Sequence, residues 1–177
     1  MTRFIEKIAQ GRKYDPQLVV GYSDDELGKI ERLYDIKLTG DFRQFMAEMG
    51  RSSGGLIGDD PIILYRSAWP VRGQILHQVT FRDDLLKIKS GETLVNKPFS
   101  FSMESETNHY FLRTVSDHPE RVYCHDENAE TVTETGRSFL EYMRSAVKFY
   151  GQGSQIDKYH RAQGFPHVVC KGELLIV

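Results

Sequence analysis

The chain has 177 residues, 40% hydrophobic and 27% charged, with 15 Gly, 6 Pro and a net charge of −2; a chain of this length buries roughly two thirds of its unfolded surface in one core, and the composition excludes collagen-like, coiled-coil and disordered classes. With 23 Lys and Arg against 25 Asp and Glu there is no basic excess to neutralise a phosphate backbone, so nucleic acid is not an expected partner. Cys124 and Cys170 are too few for a disulfide framework, Arg3 and Glu6 interrupt any signal-peptide core, and no apolar run reaches the ~20 residues of a membrane span, so a cytoplasmic protein without a membrane partner is expected.

In chain order, the first sharp signal is Ser23-Asp24-Asp25-Glu26, a capping box that predicts a helix from residue 24. Tyr22 and Leu27 form a hydrophobic staple around it, and Leu27, Ile30, Leu33 and Tyr34 recur at helical spacing. A second stripe, Phe42, Phe45, Met46 and Met49, follows a break at Thr39-Gly40 and ends before Gly50, giving two short amphipathic helices. Gly50 to Asp60 reads as a flexible glycine-rich loop, and Pro61 opens Ile62-Ile63-Leu64-Tyr65 as a first strand. Residues 71–90 read as a helix, although Val79-Thr80-Phe81 also suits a strand. Four β-rich runs, Phe99–Met103, His109–Leu112, Arg121–Cys124 and Thr131–Thr133, suit an antiparallel meander. Ser138-Phe139-Leu140-Glu141 is a second capping box, and Leu140, Met143, Val147 and Tyr150 line a closing helix that runs to Gly151. In the tail, Val168-Val169-Cys170 and Leu174–Val177 flank Lys171-Gly172-Glu173 and suit a small hairpin or edge strands. This order predicts one α+β domain over residues 1–177. Its antiparallel sheet has about four to six strands, with helices packed mainly on one side, a core at about 20–150 and a C-terminal extension at 151–177.

No catalytic constellation assembles. Gly50-Arg51-Ser52-Ser53-Gly54 matches the nucleophile-elbow pattern, but it follows a helix and opens a loop, whereas an elbow joins a strand to a helix. His109, His118 and His125 lie near Asp117 and Asp126 without a metal-ligand spacing, so no metal and no cofactor is expected. Asp24-Asp25, Asp59-Asp60 and Asp83-Asp84 are adjacent pairs whose side chains point apart on a regular element. Charge distribution is more informative: residues 92–142 hold ten acids and four bases, a local net of −6, which leaves the rest near +4. An acidic face of this kind attracts a basic partner and speeds encounter; the plainer alternative is a solvated surface. Trp69, the single tryptophan, suits either a core anchor or an interface anchor.

The run Ser23-Asp24-Asp25-Glu26-Leu27, Ile30-Glu31, then Tyr34 to Met46 through Leu38-Thr39-Gly40-Asp41-Phe42-Arg43-Gln44-Phe45, resembles the opening of SMI1/KNR4 (SUKH) domains. Pro98-Phe99-Ser100-Phe101, Tyr110-Phe111-Leu112, Val122 and Ser138–Met143 are similar to that family's core strands and closing helix, so the resemblance spans about 20–150. Thr39 stands where the family usually has proline, and Gly50-Arg51 where it has Asn-Gly. The resemblance implies a divergent bacterial immunity protein that binds a cognate toxin, often a nuclease and basic, by stoichiometric inhibition. The alternative is a regulatory or scaffolding module of the same superfamily, and neither is an enzyme. The candidate partner contacts are Asp59, Asp60, Trp69, Glu104, Glu106, His109 and Glu127.

Overall fold

A helix that no local signal announces opens the fold: α1 (Phe4–Ala9) buries Phe4, Ile5, Ile8 and Ala9. The computed structural model describes residues 2–88, 94–150 and 169–176. Val19–Val20 (β1) pairs antiparallel with Ser52–Ser53 (β2), a small two-stranded ladder. Between them lie α2 (Asp24–Tyr34) and α3 (Gly40–Met49). The capping box closes as expected, with Ser23 Oγ accepting from Glu26 N (3.4 Å) and the Glu26 carboxylate accepting from Ser23 N (2.8 Å). Tyr22 and Leu27 are both buried. Leu33 is not part of the buried stripe: it is 45% exposed, on the shoulder of the face formed by Leu27, Ile30 and Tyr34.

Two expectations in the next stretch are corrected. The glycine-rich segment is not a free connector; Arg51 to Gly58 is buried, and β2 lies within it. Ile62–Tyr65 is not a strand but a 3-10 turn over Ile63–Tyr65. Its residues serve the core from a turn because Tyr65 Oη donates to the Met49 carbonyl (2.9 Å), while Pro61 O is claimed by Met103 N (3.0 Å). The helix over 71–90 is α4 (Val71–Lys87), with Lys89 and Ser90 outside the described residues.

The meander is observed as β3 (Pro98–Glu104), β4 (Asn108–Arg113), β5 (Arg121–Asp126) and β6 (Thr131–Ser138), in that spatial order. Together these elements give an α+β fold around a four-stranded antiparallel sheet. Period-2 alternation sorts the strand residues between two faces. Phe99, Phe101, Leu112 and Val122 join the main core with α1, α2, α3 and the closing helix α5 (Phe139–Tyr150). Phe139 is its hub, with ring centroids 5.1–5.9 Å from Phe4, Phe42, Phe45 and Phe101. On the other face α4 packs Phe81 and Leu85 on Phe111, with Leu94 beside them. Gln78 also covers the open edge of β3: its amide donates to Ser100 O (2.7 Å) and accepts from Ser100 N (3.0 Å).

The second capping box also closes, with the Glu141 carboxylate accepting from Ser138 N (2.8 Å). Residues 169–176 form neither hairpin nor strand, and they pack as an irregular strap that buries Gly172, Leu174 and Leu175. Gly151, Val168 and Val177 lie outside the described residues. Arg51 holds the strap down, with Nε donating to Glu173 Oε2 (2.8 Å) and Nη2 to Glu26 Oε1 (2.8 Å). No helix among the described residues is long and apolar enough to cross a membrane.

Candidate functional site

A meander places its first and third turns at the same end of the sheet. Here the β3–β4 turn and the β5–β6 turn are joined by Glu127 N donating to Thr107 O (3.0 Å). Glu104 and Glu106 belong to the first turn, and Asp126, Glu127 and Glu130 to the second. The 58–61 loop reaches the same end, because Met103 N (3.0 Å) and Ser102 Oγ (2.7 Å) both donate to Pro61 O. Asp59 and Asp60 therefore stand beside the end of β3. They line a surface depression with Arg66, Ala68 and Trp69, where the Arg66 guanidinium lies 4.7 Å from the indole centroid.

Trp69 connects to the rest through a row of rings between α4 and the sheet. Ring centroids are 5.3 Å apart for Trp69 and His77, 5.4 Å for His77 and His109, and 6.0 Å for His109 and His125. His109 and His125, the last two rings, are cross-strand neighbours on β4 and β5, and His109 Nε2 meets Glu127 Oε1 at 2.5 Å. Burial pushes His77 down to about 4, helped by the positive potential of neighbouring His109 and Arg66. Burial also lowers His109, although Glu127 opposes that shift. Burial thus favours the neutral form of the His77 and His109 rings, which act as flat packing groups with one polar edge.

All seven candidate contacts fall along this end and row, with Glu106 exposed at the tip of the first turn. They differ in what they can offer. His109 is 5% exposed, so it supports the surface from beneath. Glu104 is engaged internally: Tyr110 Oη donates to its Oε2 (3.1 Å) and Tyr142 Oη to its Oε1 (3.3 Å). Several of the ten acids of residues 92–142 are likewise committed. Asp126 caps its turn by accepting from Asn128 N and Ala129 N, Glu134 pairs with Arg121 at 3.0 Å, and Glu141 caps α5. Glu92 lies outside the described residues. Among the described residues, the acids that stand open at this end are Asp60, Glu106, Glu130 and the second oxygen of Glu127. His118 is remote, in the β4–β5 loop, where its Nδ1 lies 3.6 Å from Glu120.

Ser52 is 2% exposed, and its Oγ accepts from Gly54 N (3.3 Å). Among the described residues none of its hydrogen bonds reaches a histidine, so the elbow-like motif is a turn that closes on itself. No group of three or more His, Cys, Asp or Glu side chains among the described residues converges closely enough to hold a metal. Sequence reasoning missed His77, Asp84 and Glu130 as members of this end. The signal for His77 was its spacing of four from Phe81, which puts both rings on one face of α4. No family model, curated protein or solved structure matches this chain.

Proposed function

We propose that this chain is a non-enzymatic protein-binding domain of SMI1/KNR4 type, an immunity protein that neutralises a basic toxin by occupying it stoichiometrically. The observation that carries this reading is convergence: acids distant in sequence, from the 58–61 loop and two sheet turns, collect at one end of a rigid sheet beside a half-buried tryptophan. Open carboxylates on short turns steer a cationic surface into register, and a partly exposed aromatic supplies the apolar anchor that charges at a rim do not. The order of helix pair, four-stranded meander and closing helix agrees with the SMI1/KNR4 resemblance. A single domain with an acidic end suits inhibition by coverage, because it needs only a surface complementary to the toxin's own substrate groove.

The test is co-expression with the product of the adjacent gene, followed by isolation of the complex and a growth-rescue assay. A one-to-one complex that restores growth, and whose association rate falls about tenfold on Glu106→Lys at low salt, is the expected outcome. Purified protein that turns over a substrate, with activity lost on changing one side chain, overturns the proposal.

A further inference from the structure

The C-terminal end of α4 and the β5–β6 turn enclose a pocket of about 360 Å³ lined by Asp84, Lys87, Ile88, His125, Glu127 and Glu130. Its charges do not cancel. Lys87 Nζ pairs with Asp84 at 2.7 Å, and neither Glu127 nor Glu130 has a Lys or Arg within ion-pair distance among the described residues. Glu127 commits Oε1 to His109, which leaves Oε2 open.

His125 adds an acceptor of another kind. It is 2% exposed, and its Nδ1 lies 3.2 Å from Thr131 O. A carbonyl only accepts, so Nδ1 carries a proton, and whenever the ring is uncharged Nε2 is a bare lone pair. That Nε2 is buried with no hydrogen-bond partner among the described residues. Buried polar atoms without partners are uncommon, and one lining a pocket marks where a donor is wanted.

Among the described residues, two carboxylate acceptors without donors, Glu127 Oε2 and Glu130, therefore line one pocket together with the His125 ring and its unpaired Nε2. Their donor must be larger than a metal ion, since the ligating groups do not converge on a point. A guanidinium fits, because its five N–H donors lie in a plane and serve several separated acceptors at once, whereas an ammonium is a compact point charge. Ile88 in the wall offers an apolar surface for a methylene stem.

We infer that this pocket receives an arginine side chain of the protein partner, its guanidinium donating to Glu127, Glu130 and His125 and its stem lying on Ile88. This rests on the proposed reading of a basic protein partner and specifies the chemistry of one contact.

The test uses the full chain labelled with ¹⁵N and three short probes: acetyl-Gly-Arg-Gly-amide and its lysine and citrulline counterparts. The arginine probe is expected to move the His125 ring nitrogens and the amides of residues 125–131 saturably, with lysine weaker and citrulline silent. Glu130→Gln, on an exposed turn where folding is not at stake, weakens the arginine probe about tenfold. Equal responses to arginine and citrulline, equal responses to arginine and lysine, or shifts scattered over remote acids such as Asp24 and Asp117 each overturn the assignment. If the toxin complex forms while the probe leaves His125 unmoved, the pocket assignment falls and the proposed function stands. If the probe binds and no toxin complex forms, the reverse holds.

Discussion

Arg51→Met removes a guanidinium that ties three segments together while keeping most of its apolar stem. The group is 8% exposed and makes five hydrogen bonds, to both Glu26 oxygens, both Glu173 oxygens and the Gly21 carbonyl, and it lies 4.0 Å from the Tyr22 ring centroid. Breaking a buried ion pair from one side costs about 3–5 kcal/mol. The Glu26 and Glu173 side chains keep 28% and 33% of their surface exposed and are partly rehydrated, so a loss of about 2–3 kcal/mol is expected, of the order set by pairing less solvent screening. Urea denaturation reads it as a lower midpoint with an unchanged slope. A pH series gives a second, independent readout. Hydrogen bonds from Arg51, then from Ser23, hold the Glu26 carboxyl from its ordinary 4.5 down to about 2. A depressed carboxyl stabilises fully above the unfolded value, and that stability is lost as pH falls through the folded one. Wild-type stability therefore declines between about pH 4.5 and 2, and the variant's decline over that window is shallower, with the Ser23 share retained. A midpoint loss equivalent to less than about 1 kcal/mol, or an unaltered slope below pH 4.5, refutes the role given to Arg51.

Gly172→Ala places a Cβ 1.8 Å from Leu64 O and 2.7 Å from Leu64 C, so the strap must lift; a loss of about 1–3 kcal/mol or more and faster proteolysis within residues 169–176 are expected by limited digestion. Phe139→Ala empties the centre of four ring contacts and costs about 3–5 kcal/mol in chemical denaturation; a cost under 1 kcal/mol shows that the core collapses around the site. His77 has its folded value lowered to about 4, so the unfolded chain binds more protons between about pH 6.5 and 4 and stability falls as pH drops through that window. In His77→Phe the fall over that window is smaller, measured as urea midpoints at successive pH values, and an identical pH dependence contradicts the burial of that ring.

What was legible in the chain was local. Both capping boxes, the α3 stripe and the meander are written in contiguous residues, and each forms as its pattern predicts. What was illegible depends on distant partners. α1 has no Ser, Thr, Asp or Asn at its N-cap to announce it; Glu6 accepts from Arg3 N (3.3 Å), and the Phe4 amide is capped by the distant Glu48 carboxylate of α3 at 2.6 Å. Ile62–Tyr65 has strand composition, yet Tyr65 is anchored to Met49 and Pro61 to β3, which fixes a turn. Of the candidate site, the acids were visible as a charge excess, but their sorting into open and engaged groups was not. Glu104 and Glu106 are two residues apart on the same hairpin, and only the structure shows the first under two tyrosine hydroxyls and the second at the exposed turn.

The strap has a consequence for how the molecule comes into being. Tyr22 and Tyr34, near the start of the fold, meet Leu174 at its far end, with Tyr22 Oη accepting from Leu174 N and Tyr34 Oη donating to Leu174 O, each at 3.0 Å. These contacts join positions 152 and 140 residues apart in sequence, and such distant closures form slowly because the entropy of the intervening loop is lost before any contact is gained. On the ribosome, Tyr22, just before α2, and Tyr34, its last residue, must wait until residue 174 has been translated before they find their partners. A chain stalled short of residue 174 is thereby marked as unfinished, carrying two unfilled hydroxyl sites that quality-control factors meet as exposed surface.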